Sequence, residues 1–234
     1  MAKEKPADKQ KRSERIIHGL RAAYPDAKCE LNFTNPLELL IATILSAQCT
    51  DKQVNIVTET LFKKYRTAGD YAAAPIADFE QDIRRIGLYR AKAKNIKAAC
   101  LALVENHAGQ VPRTMIDLTA LGGVGRKTAN VVLGNAFDLN EGIVVDTHVA
   151  RLSRRLGLTA QTAPEKIELE LQVLVPKNDW TLFSHLLIWH GRRRCMARGP
   201  DCEACEIQGH CPAGQKVLNP KLNPDQRKKV RMEI

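Results

Sequence analysis

The feature that most constrains this chain is a run of three glycines in four residues, Gly122-Gly123-Val124-Gly125. It is set between two apolar helical patterns. A short helix leads in and ends at Leu121. A second follows, with Ala129, Val132, Leu133 and Ala136 on its inner face. Glycine lets the backbone adopt positive φ and come close to a ligand. Such a turn and the helix start after it direct backbone N–H groups outward, and the positive end of the helix dipole reinforces them. Together they form a site for a phosphate, with Gly123, Gly125 and Arg126 as its candidate contacts. A nucleotide phosphate loop needs Gly-Lys-Ser/Thr after a strand. Here Arg126 separates Gly125 from Lys127, and no strand leads in. An ordinary helix hairpin that binds nothing is the other reading.

The Gly-x-Gly turn with apolar flanks looks like the helix-hairpin-helix element, which grips the DNA backbone without reading base sequence. The charge balance agrees with it. Lysine and arginine number 36 against 26 acidic residues, a net +10, which favours a polyanionic partner, either nucleic acid or an anionic membrane surface. No apolar run approaches the roughly 20 residues of a spanning helix. The segment Met1 to Arg15 holds Glu4, Asp8 and Glu14 and has no apolar stretch, unlike a signal or transit peptide. A protein that stays where it is made is expected. At 234 residues the chain suits one large domain or two modest ones.

The chain reads as all-α. Asn35, Pro36 and Glu38 form a helix start, and the apolar residues Leu37, Leu39, Leu40, Ile41, Ile44 and Leu45 behind them predict a central, buried helix. Asp51 is a candidate cap for the next helix, running to about Tyr65. Further helices are expected over Ile76–Ile86 and Tyr89–His107. Ile167, Leu169, Leu171 and Val173 alternate as in a strand, but Thr162-Ala-Pro-Glu165 before them fits a capping box, so a helix is expected. One more, around Phe183, Leu186, Leu187 and Trp189, should end near Arg192–Arg194. Residues 1–14 are expected to be a flexible basic N-terminus and 214–234 a basic, mobile C-terminal tail.

Four of the seven cysteines lie within seventeen residues, as Cys195-x6-Cys202-x2-Cys205-x5-Cys211. The odd count and the lack of an export signal argue against a disulfide framework. Four thiolates can wrap one metal centre, and both zinc and an iron–sulfur cluster suit the set. Zinc sites of four cysteines usually have two Cys-x2-Cys pairs, and only one occurs here. Arg192, Arg193, Arg194 and Arg198 flank the first cysteine, where they can stabilise an anionic cluster or project toward DNA. Cys29, Cys49 and Cys100 read as small buried hydrophobes.

The hairpin and the cysteine loop, in this order and with this spacing, resemble the endonuclease III family of DNA glycosylases over roughly residues 15 to 213. Further matching stretches are Leu45-Ser-Ala-Gln48-Cys-Thr-Asp51, Ile86-Gly-Leu88-Tyr89 and Val144-Val-Asp146-Thr-His148-Val. The resemblance implies two helical domains flanking a DNA-binding cleft. One is a continuous six-helix domain, 35–142, with the hairpin. The other is discontinuous, 15–34 and 143–213, and carries a [4Fe–4S] cluster on Cys195, Cys202, Cys205 and Cys211. It further implies a cytoplasmic, nucleoid-associated monomer acting on double-stranded DNA that contains damaged pyrimidines or abasic sites. The family commonly has proline where this chain has Gly122, which is expected to loosen the hairpin entry while leaving the phosphate donors in place.

Breaking a glycosidic bond makes C1′ cationic, so a neutral amine can attack there and a carboxylate can stabilise the charge. Lys127 lies in the first turn of its helix, whose positive end favours the neutral amine, as burial against DNA also would. DNA phosphates favour the ammonium. Asp146 alone reads as an N-cap. By resemblance, Asp146 supports loss of the base and Lys127 forms a Schiff base with the sugar, after which elimination of the 3′ phosphate nicks the strand. Gln48 and Leu88 are the residues expected to fill the gap left by an extruded base, Gln48 facing the orphan base and Leu88 wedging between neighbours. The matching His148 reads as structural. Two rival readings are a monofunctional adenine glycosylase, which generally lacks the lysine, and a DNA-binding protein with a structural or redox cluster and no activity.

Overall fold

A computed structural model describes residues 4–233 of the chain. Among the described residues the regular structure is entirely helical. The chain divides into two compact units, residues 29–141 and residues 1–28 with 142–234.

The unit 29–141 is built round α2 (Pro36–Ser46). Asn35 caps it, its side chain accepting from the Glu38 N–H at 3.0 Å, and Pro36 occupies the first turn. Leu39, Leu40, Ile41, Ala42 and Leu45 are fully buried, so the helix is apolar all round, as its sequence predicts. Each buried leucine or isoleucine contributes about 1.5–3 kcal/mol. Around it lie α3 (Asp51–Lys64), α4 (Ala68–Ala73), α5 (Ile76–Asp82), α6 (Tyr89–His107), α7 (Met115–Thr119) and α8 (Arg126–Ala136). Three expectations need correction. Thr50, not Asp51, caps α3, accepting from the Gln53 N–H at 3.3 Å. Helix α5 ends at Asp82, before Ile83 and Ile86 turn inward into the core. The unit holds seven helical segments rather than six. The extra one, α4, is started by a reciprocal capping box between Thr67 and Asp70 and ended by Pro75.

The other unit contains α1 (Pro6–Ala23), α9 (Thr147–Arg155), α10 (Pro164–Leu174), α11 (Trp180–Arg193), α12 (Pro212–Val217) and α13 (Pro224–Glu233). Its core gathers Ile16, Leu20, Val149, Leu152, Leu171, Phe183 and Leu187. Helix α10 confirms the helical choice over 167–173: Ile167, Leu171 and Leu174 are buried while Leu169 and Val173 face out. The Thr162–Glu165 capping box does not form, because Ala163 is the N-cap and makes no side-chain bond.

Both expected flexible ends are corrected. Residues 1–3 lie outside the described residues, but the chain is helical from Pro6. Arg12 donates to the Leu156 carbonyl at 2.6 Å and Ser13 to the Leu174 carbonyl at 3.2 Å, which ties the first turns to α9 and α10. At the other end Val217 of α12 is fully buried, and Arg231 of α13 pairs with Glu203 at 2.6 Å. Long-range partners order segments whose composition alone suggested disorder.

Candidate nucleic-acid interface and metal centre

The hairpin runs from α7 through Leu121–Gly125 into α8. Leu121 and Val124 are buried and hold the turn to the core, while Gly123, Gly125, Arg126 and Lys127 are exposed. The glycines have distinct tasks. Only Gly123 has positive φ, +74°, and a Cβ there would meet the Asn95 side chain at 2.8 Å. A Cβ on Gly122 would lie 3.1 Å from Ala98 Cβ and 3.2 Å from the Asn95 carbonyl. Gly122 therefore lets the turn sit close on α6. The hairpin entry is packed against α6 at this position. Gly125 has ordinary extended backbone and nothing within 4 Å of its Cβ position. What its missing side chain leaves clear is the approach to the N–H groups of the first turn of α8. Lys127 is the second residue of that helix.

Asp146 is the N-cap of α9, accepting from the Val149 N–H at 2.8 Å. The cap fixes the carboxylate at the end of the buried run Ile143–Val145 and uses one of its two oxygens. His148 packs against Gly191, where a Cβ would come within 2.7 Å of its ring. Burial pulls its pKa down.

Gln48 and Leu88 are both exposed, and both are non-glycine residues in the left-handed region, with φ of 54° and 58°. Gln48 follows the end of α2, where left-handed backbone is common. Leu88 is the N-cap of α6, where extended backbone is usual, and it exposes 60% of its surface. The conformation costs a leucine about 1–2 kcal/mol. The two turns are neighbours: a Cβ on Gly87 would lie 3.9 Å from the Gln48 carbonyl.

The four cysteines Cys195, Cys202, Cys205 and Cys211 are free thiols lining one small cavity walled by Leu152, Leu156 and Ile207. Burial pushes the thiol of Cys202 up to about 11 and that of Cys205 up to about 12, and raises Cys211 as well. Three of the sulfurs meet nitrogens, two of them N–H donors. Arg155 reaches Cys195 Sγ at 3.3 Å, the Gly214 N–H reaches Cys211 Sγ at 3.3 Å, and His190 Nε2 lies 3.5 Å from Cys205 Sγ. Burial pushes the Tyr24 phenol up to about 12, and its hydroxyl lies 2.9 Å from His190 Nδ1, so that one ring holds Tyr24 on one side and the sulfur on the other. Buried apolar walls with donors aimed at sulfur suit thiolates on a metal rather than neutral thiols. Ligand atoms of His190, Cys205 and Glu206 also lie within 4.8 Å of one another. His190 is committed to Tyr24 and Glu206 to Arg194, so the four-cysteine set is the better centre.

Sequence reasoning missed Arg155, His190 and Tyr24 in this environment. It offered the arginines flanking Cys195 either as charge partners of a cluster or as contacts to DNA. Arg194 instead pairs with Asp201 and Glu206 across the loop, and Arg193 stacks over Trp189 at 3.9 Å. The buried guanidinium that meets sulfur is Arg155, forty positions earlier, which also donates to the Met196 and Ala197 carbonyls at 2.7 and 3.0 Å.

The all-helical fold, the glycine hairpin and the capped aspartate define a class: a family model for HhH-GPD superfamily base excision DNA repair proteins matches residues 41–177, more than half the chain. An endonuclease III of Synechocystis sp. is 48% identical, over 90% of this chain and 96% of its own. Among solved structures, a non-covalent endonuclease III–DNA complex is similar with a TM-score of 0.84 and 46% identity, over 89% of this chain and 98% of that one. A trapped endonuclease III–DNA covalent intermediate has a TM-score of 0.84 and 45% identity, over 90% and 99%. The chain belongs to the endonuclease III family. Family and cysteine loop together point to a metal cofactor. No helix among the described residues is long and apolar enough to cross a membrane.

Proposed function

We propose that this chain is a bifunctional DNA glycosylase and abasic-site lyase of base excision repair, with Lys127 as its nucleophile and Asp146 as its supporting carboxylate. One observation carries the residue roles. An exposed amine stands at the second position of a helix whose N-cap, Gly125, has open space at its Cβ position, so binding the DNA backbone at that helix start brings Lys127 to a sugar. The covalent intermediate trapped in a relative at 45% identity supports nucleophilic chemistry for this chain.

Lys127 Nζ attacks C1′ of the extruded nucleotide and the bond from C1′ to the base breaks. Asp146, held by its cap bond, stabilises the positive charge that develops at the sugar. Loss of the amine proton and opening of the sugar ring leave a Schiff base between Nζ and C1′. Removal of a C2′ proton then expels the 3′ phosphate and nicks the strand. Gln48 and Leu88 fill the vacated space in the duplex, and Gly123, Gly125 and Arg126 hold its backbone. The preferred substrates are duplexes with oxidised pyrimidines or abasic sites, met by a monomer in the cytoplasm on nucleoid DNA.

Cys195, Cys202, Cys205 and Cys211 would hold a [4Fe–4S] cluster, whose chemistry when bound is to cross-link the loop through four iron–thiolate bonds. The chain's own N–H donors from Arg155 and Gly214 supply partners a thiolate needs. No step of base removal requires it.

Borohydride added during turnover of a lesion-bearing duplex reduces the Schiff base to a stable amine. A covalent protein–DNA adduct is expected with the natural chain, and Lys127→Ala should abolish it and slow nicking by on the order of 10³-fold or more. An undiminished adduct in Lys127→Ala removes the assignment. Base release without any adduct or nick would favour the monofunctional reading.

A further inference from the structure

One buried cation is used by neither the fold's core nor the steps above. Lys92, in the first turn of α6, is only 4% exposed. Its ammonium donates to the Leu45 carbonyl at 2.8 Å and to the Ala47 carbonyl at 2.6 Å. Those are the last carbonyls of α2, where the negative helix end attracts a cation and where such groups otherwise lack partners. Burial pulls the lysine's pKa down, so the site bears a desolvation cost that an apolar residue would avoid.

What the cost secures is visible in the neighbours. One residue past Ala47 is Gln48; four residues before Lys92 is Leu88, whose carbonyl accepts from the Lys92 N–H at 3.1 Å. Lys92 therefore bonds at one end to the turn of Leu88 and at the other to the turn of Gln48. Both residues are held in left-handed backbone, and at Leu88, a leucine at a helix N-cap, that state persists only when its surroundings over-determine it.

We propose that Lys92 is a positioning residue for lesion recognition: it fastens the Leu88 turn to the Gln48 turn, so that the two exposed side chains enter the duplex as one rigid pair. This rests on the assignment of Gln48 and Leu88 to the gap left by the extruded base. Without the clamp the turns separate, each side chain must be ordered afresh on DNA, and base extrusion slows while the chemistry of Lys127 is untouched.

A mutant cycle on the full, metal-loaded chain tests it. Lys92→Met keeps the side chain's length and removes its donors. In the natural background it should lower kcat/KM for base release from a lesion duplex by on the order of 10- to 100-fold. It should also diminish the fluorescence rise of a 2-aminopurine placed beside the lesion, which reports unstacking. In a Gln48→Ala/Leu88→Ala background the same change should cost less than about threefold, since there is no pair left to position. Equal losses in both backgrounds, or an unchanged fluorescence rise, would overturn the proposal and leave Lys92 a structural cation. Should Lys92→Met fail to fold by circular dichroism, Lys92→Gln, which retains a donor, is read through the same cycle with the same two outcomes. A natural chain that releases no base from any lesion duplex would instead count against the glycosylase itself.

Discussion

The glycine turn and the cysteine loop are both irregular backbone assigned to a ligand, and they are built on opposite plans. The turn is anchored by apolar side chains, Leu121 and Val124, and by glycines that let it lie on α6. Its proposed donors are backbone N–H groups at the exposed start of α8. The loop is anchored from outside by polar side chains: Arg155 to its carbonyls, Arg194 to its carboxylates. Its ligand groups point inward, to a cavity closed by Leu152, Leu156 and Ile207. On the proposed roles, DNA is added to a hairpin that is already folded, whereas a metal at the four cysteines would be part of the fold that holds it.

The comparison can be broken first at the loop, where the largest effect is expected. Cys202→Ser, or removal of the metal by an oxidant and chelator, should lower the unfolding midpoint by on the order of 10 °C or more, followed by calorimetry. A metal-free chain with an unchanged midpoint would show that the loop, like the turn, is folded without its ligand. At the turn, Gly123→Ala must place a Cβ at φ +74° and 2.8 Å from Asn95, and should cost about 1–3 kcal/mol in denaturant unfolding. The smallest change in stability belongs to Gly125→Ala. With extended backbone and open space, it should cost under about 1 kcal/mol, yet weaken duplex binding by on the order of tenfold. Its salt dependence should stay nearly the same, because no cation is lost. Stability and DNA affinity falling together at Gly125 would mean that its role is conformational, like that of Gly123.

Local signals were legible. The Asn35 cap with Pro36, the buried stripe of α2, the limits of α6 and the turn at Gly122–Gly125 all follow from residues within a helical turn or two of one another. The Thr67–Asp70 capping box was equally local, and it identifies α4 once its reciprocal pattern is considered. At the candidate site, the residue types and their spacing were readable, as was the N-cap reading of Asp146, which does cap a helix. Less readable was which glycine does what. Gly122, Gly123 and Gly125 are alike in sequence, and α6, twenty-odd residues away, sets them apart.

By itself, the sequence determined an all-helical chain with a glycine hairpin and a four-thiol loop, because those features are written in short-range spacing. Tertiary structure alone decided what supports them. Arg155 meets Cys195 across 40 residues, and Lys92 meets Leu45 across 47. It also recruited both chain ends into helices, with Arg12 reaching Leu156 and Arg231 reaching Glu203. No periodicity encodes such pairs. A buried cation needs a carbonyl or a sulfur at hydrogen-bond distance, and only the folded chain brings one there.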